Sequence, residues 1–85
     1  MIWIVNAQKA AEKYEIQLEF NDGLVGTLDF QKNLENDTRS IVRELLNTDN
    51  FNSFGVMYDT VTWENGVDFA PDFLHRQLQF HLQVA

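Results

Sequence analysis

The chain has no cysteine, one proline, four glycines and only six basic residues among 85. Without thiols there can be no disulfide staple, no thiolate zinc site and no cysteine nucleophile. The glycines (Gly23, Gly26, Gly55, Gly66) are dispersed, so they do not form the clustered loop that cradles a phosphate. Ser40 and Ser53 lack the Gly-x-Ser-x-Gly elbow of a serine nucleophile. No stretch approaches 18 apolar residues, the minimum for a spanning helix. Met1 to Asn6 has no basic flank and no long apolar run, so it does not read as a signal peptide. A soluble, cytoplasmic protein is the expectation, with no membrane contact.

Basic residues are scarce and scattered: Lys9, Lys13, Lys32, Arg39, Arg43 and Arg76 stand against 13 acidic residues, for a net charge of −7. Nucleic-acid binding needs clustered Lys and Arg to neutralise phosphates, so the chain alone is not expected to bind DNA or RNA. Between Arg43 and Arg76 the charges are all acidic: Glu44, Asp49, Asp59, Glu64, Asp68 and Asp72. Gathered on one face they would steer a basic partner; dispersed they serve solubility.

What is present suits a folded domain. Hydrophobic residues make up 45% and charged residues 22%, and the length fits one domain over residues 1–85. A core of this size leaves about 3–5 kcal/mol after chain entropy, so self-association is a plausible second source of stability. Seven Phe, two Trp and two Tyr supply large apolar area.

Along the chain, Ile2 to Val5 reads as a short strand, while Ala7 to Lys13 suits either a helical turn or a bend. Tyr14, Ile16, Leu18 and Phe20 alternate with Glu15, Gln17 and Glu19, the pattern of a strand with one wet face. Asp22-Gly23 then supplies the positive φ angles of a tight hairpin into Leu24 to Phe30. Gln31 to Asn36 reads as a polar connection. Asp37 is placed to cap a helix whose stripe is Ile41, Val42, Leu45 and Leu46. Strands follow at Gly55 to Tyr58 and Thr60 to Glu64. Asn65-Gly66 predicts a second hairpin, of type I′, into Val67 to Phe69. Pro71 fits the first turn of a helix and Asp72 its dipole. From Leu78 to Ala85 the spacing fits a helix or a strand. The expected fold is α+β, a mostly antiparallel sheet built from two hairpins with two helices, in the order β-β-β-α-β-β-β-α.

Two stretches also resemble a known family. The hairpin Leu18-Glu19-Phe20-Asn21-Asp22-Gly23 with Val25, Leu28 and Asp29 is similar to the opening of a small, mostly bacterial family called domain of unknown function 2442. Trp63, Asn65, Gly66, Asp68 and Pro71, followed by Leu74, resemble its tryptophan-x-asparagine-glycine element with its trailing aspartate and proline. Glu64 departs from it, since proline is common there. The resemblance covers residues 10–78 and implies a compact α+β domain. Members stand alone or join a helix-turn-helix domain; with no segment left over for one, this chain resembles the stand-alone form. Some members are suspected to be one half of a toxin–antitoxin-like pair. The resemblance carries over no catalytic residue and no cofactor.

Chemistry in the residues themselves is sparse. His75 and His81 are six apart, unlike the i, i+4 pair of a helical zinc site. Asp68 and Asp72 flank Pro71, where capping and dipole compensation occupy carboxylates. The leading expectation is therefore a non-enzymatic protein-interaction domain. It would bind a partner, small and basic, through Tyr58, Trp63, Glu64, Asp68 and Asp72. The rivals are a small-ligand or metal-dependent enzyme built on His75, Asp68 and Asp72, and a structural homodimer formed through the tail or an edge strand.

Overall fold

Alternation in the second strand sets the geometry. In the computed structural model, which describes residues 1–84, β2 (Glu15–Phe20) buries Ile16, Leu18 and Phe20 and turns Gln17 and Glu19 to water. It pairs antiparallel with β3 (Val25–Asp29) on one side and β1 (Ile4–Lys9) on the other. β1 begins later and runs further than the apolar stretch Ile2 to Val5 suggested. Backbone pairing to the edge of β2 extends it through polar residues to Lys9, and Ala10 then donates to the Glu15 carbonyl at 3.0 Å. The register shifts between Ile4 and Asn6, so Val5 is an extra, exposed residue in a bulge.

The β2–β3 turn is not the one expected. Gly23 donates to the Phe20 carbonyl at 3.0 Å and Phe20 donates to the Leu24 carbonyl at 2.9 Å, which closes a three-residue loop. Only Gly23 is left-handed there, at φ 91°, while the Asp22 carboxylate accepts from the Leu24 N–H at 3.1 Å. Asn65-Gly66 repeats this design. Gly66 has φ 92°, and the Asn65 side chain accepts from the Val67 N–H at 3.1 Å. Both are bulged three-residue loops rather than type I′ turns.

The helical middle is more broken than its apolar stripe suggested. Residues read as a polar connection form a short helix, α1 (Gln31–Glu35), anchored by buried Leu34 and started by the Asp29 carboxylate accepting from the Gln31 N–H. Asp37 does not cap the next helix; its carboxylate takes the Arg39 N–H and guanidinium instead. α2 (Ser40–Arg43) then passes into a 3₁₀ turn (Glu44–Leu46). Asn47 restarts the chain as α3 (Thr48–Phe51) by accepting from the Asp49 and Asn50 N–H groups. Asn favours a cap over a helix interior, which breaks what hydrophobic spacing alone reads as one helix.

A second, two-stranded sheet follows, β4 (Gly55–Met57) with β5 (Thr60–Thr62). The strand expected at Val67 to Phe69 shrinks to one bridge, Thr62 to Asp68, with Val67 buried and Phe69 packed against the core. The last element, α4 (Pro71–Val84), is helical throughout. Its buried stripe is Leu74, His75 and Leu78, and the alternation beyond Leu78 does not produce a strand. Ala85, included in the tail reading, lies outside the described residues. The class is α+β, as the sequence indicated, with two antiparallel sheets in place of one.

α4 lies on the apolar face of β3, where Gly26 makes room for it. A Cβ on Gly26 would stand 2.9 Å from Leu78 Cδ1 and 3.2 Å from Cδ2, and Leu78 is fully buried. Gly26→Val should therefore cost about 1–3 kcal/mol through overpacking. Urea unfolding with an unchanged slope would show this as a lower midpoint.

Candidate functional site

The hairpin between β4 and β5 is the point where local geometry and surface chemistry depart most from a solvated turn. Met57 pairs with Thr60, leaving Tyr58 and Asp59 as a two-residue loop. Both have positive φ, 54° and 69°, as a type I′ turn requires. Such turns favour Asn-Gly because a Cβ in the left-handed region meets the following carbonyl, costing about 1–2 kcal/mol per residue. Tyr58 occupies the position all the same and stands 86% exposed.

Neighbouring contacts hold this tip in place. The Asp59 carbonyl accepts from the Ile4 N–H at 2.9 Å, which ties the start of β1 to it. Thr60 Oγ1 donates to the Phe69 carbonyl at 2.6 Å, and Val61 is buried beneath. The N-terminal residues are pinned nearby: Trp3 donates to Asn21 Oδ1 at 2.9 Å, and Asn21 Nδ2 donates to the Met1 carbonyl at 3.0 Å. β1 packs beside β4 and β5. Trp3, Val5, Val56, Met57 and Tyr58, on or beside these elements, are exposed apolar residues, and Asp59 follows Tyr58 in the loop.

Trp63 does not belong to that surface. It is 2% exposed, its Nε1 donates to the Phe51 carbonyl at 2.8 Å, and its ring packs against Phe30, Phe51 and Phe69. Its place in the partner-binding set is thus corrected: an alternating strand beside a hairpin buries one of its faces, and Trp63 is on that face.

Of the acidic residues, Glu44 and Glu64 line one hollow, while Asp59, Asp68 and Asp72 lie elsewhere. Asp59 sits at the hairpin tip. Glu64 shares a hollow of about 280 Å³ with Glu44, Asn50, Ser53 and Asn65. Asp68 lies where its charge acts on Arg39, and Asp72 is exposed in the first turn of α4. The acids from Glu44 to Asp72 thus divide among several elements.

His75 is held elsewhere than the enzyme reading required. Its Nε2 lies 2.8 Å from Asp22 Oδ2, across 53 residues, and its ring meets Phe20 edge-on. The Asp22 carboxyl is held below its usual range, first by the Leu24 N–H and then by His75. Among the described residues, no three His, Asp or Glu side chains gather in a way that could hold a metal ion. The Asp22–His75 pair went unread because nothing local marks a turn aspartate as the partner of a distant helix residue. The hairpin tip went half-read for a similar reason. Tyr58 was picked out for its residue type, whereas its left-handed backbone has no sequence signature.

A shallow cleft of about 360 Å³ also opens between α1 and α4, lined by Lys32, Asn33, Asn36, Asp37, Phe69, Phe73 and Gln77. Asn33 and Gln77 exchange amide hydrogen bonds of 3.1 and 3.0 Å across it, so its central polar groups already satisfy one another.

Two small antiparallel sheets with short helices between them define an α+β domain. Its family is shown by direct comparison: the family model described as Protein of unknown function (DUF2442) matches residues 8–79, and the chain belongs to that family. No curated protein and no solved structure matches the chain. No helix among the described residues is long and apolar enough to cross a membrane.

Arg39 holds the Asp37 carboxyl down to about 2, first through its guanidinium and then through its backbone N–H. The stabilisation from this pair is thus present above the ordinary aspartate value of 3.8 and is lost as the pH falls through about 2. Carboxyl-detected NMR titration should place the Asp37 midpoint near that low value, and Arg39→Ala should raise it toward the ordinary one while the retained backbone N–H at position 39 keeps it below.

Proposed function

We propose that this domain is a non-enzymatic protein-interaction module that engages its partner through the β4–β5 tip. One observation carries the reading: Tyr58 occupies a strained left-handed backbone while its side chain is 86% exposed. Strain retained where it brings no packing points to a role outside the fold. Tyr and Trp are favoured at the centres of interfaces because they supply large contact area with few rotors. Trp3 and Met57 extend the apolar area, and Asp59 together with the net charge of −7 favours a partner bearing Lys or Arg around an apolar centre. A small basic partner in a toxin–antitoxin-like pair fits that chemistry.

Tyr58→Asn separates function from folding. Asn tolerates the left-handed region, so the variant should unfold about 0.5–1 kcal/mol less readily. It should also lose the protein captured from the native host by the parent domain. Asp59→Lys should weaken that capture, while Glu64→Lys, Asp68→Lys and Asp72→Lys should leave it unchanged. Equal capture by Tyr58→Asn and the parent chain would refute the reading.

A further inference from the structure

The β1–β2–β3 sheet has a free edge on the side away from β4 and β5. β3 is the outer strand of the order β1-β2-β3. Its bonded pairs with β2 fall on even positions, from Phe20 with Leu24 to Phe30 with Tyr14. The intervening Val25, Thr27 and Asp29 therefore direct their N–H and C=O groups outward. Exposed edges are normally blunted by Lys, Pro or a bulge. β3 reads Val-Gly-Thr-Leu-Asp and carries none of these.

A groove of about 260 Å³ runs along this edge, bounded by Thr27, Leu28 and Asp29 on the strand and by Gln77, Phe80 and His81 on α4. Phe80 is 67% exposed, and Leu82 beyond it is also exposed. On the other side of the edge is the wet face of the sheet. Register pairing puts Glu15 beside Asp29 and Glu19 beside Val25, with Asn6, Gln8, Gln17 and Thr27 as the remaining side chains. The strand positions of that face hold three carboxylates and no base. Lys9 pairs with Ile16 and so projects on the opposite side.

We propose that β3 accepts an extended, basic segment of a partner protein as an added strand. The free edge supplies main-chain hydrogen bonds. Alternate side chains of the segment then divide between the two faces, apolar ones toward Leu28 and Phe80, Lys or Arg toward Glu15, Glu19 and Asp29. A second copy of this chain is the poorer occupant. Edge-to-edge pairing of two β3 strands would place both sets of these carboxylates on one continuous face, at like charge.

The test uses the full chain and a short soluble peptide alternating Lys with Val, beside one alternating Glu with Val. Fluorescence anisotropy at low and high salt reads binding, and amide hydrogen exchange reads its location. The Lys peptide should bind more weakly as salt rises and should slow exchange at Val25, Thr27 and Asp29; the Glu peptide should do neither. Thr27→Pro removes an outward donor without touching the β2 ladder, and Glu19→Lys reverses one charge. Each should weaken binding by about tenfold, the scale of one lost interaction of 1.4 kcal/mol. Tyr58→Asn should bind the peptide like the parent chain, which separates this surface from the hairpin tip. Absence of binding, protection at other amides, or protection that rises with chain concentration without peptide would each overturn the proposal.

Discussion

Trp63 joins segments that no sheet connects. Its indole N–H ends on the Phe51 carbonyl at the close of α3, and its ring is held by Phe30 at the end of β3, by Phe51, and by Phe69 before α4. Phe51 in turn meets Tyr14 at 5.3 Å edge-on, which reaches the start of β2. The broken helical middle and the small second sheet bury little by themselves. Packed around this aromatic node they share one core with the main sheet. A buried indole left without an acceptor would cost about 1–3 kcal/mol, a large part of what a domain of this size has to spare.

A second junction works by space and charge. Gly26 lets α4 approach β3, and Asp22 in the β2–β3 loop pairs with His75 on the same helix. The loop thus has two roles, reversing the chain through Gly23 and holding the helix through Asp22. This explains why the Asp-Gly step lies at a bulged turn: only Gly23 takes the left-handed position, leaving the Asp22 carboxylate free to accept from Leu24 and His75.

With these interactions assigned, the polar residues that sequence patterning singled out divide into structural and exposed groups. Trp63, Asn65 and Asp22 build shape, and Asp37 is taken by Arg39. What remains outward is apolar or acidic: the Tyr58 hairpin on one side, and the β3 edge beneath Phe80 on another. The two differ in kind, one an exposed side chain on a tight turn and the other a backbone edge.

The α+β class, the β2–β3 hairpin, the proline-initiated helix and the Trp63-Asn65-Gly66 element were legible in the residues, because period-two alternation and glycine reversals act over a few positions. The extension of β1 was not, since it depends on pairing with β2, and the Asn47 cap and the short α1 were hidden because apolar spacing carries no signal for side-chain caps two or three residues away. Tertiary structure alone decided that His75 meets Asp22, that the acidic residues from Glu44 to Asp72 scatter, and that Tyr58 is held left-handed in solvent. Those outcomes depend on which distant segments the aromatic core brings together, and a one-dimensional pattern carries no record of that.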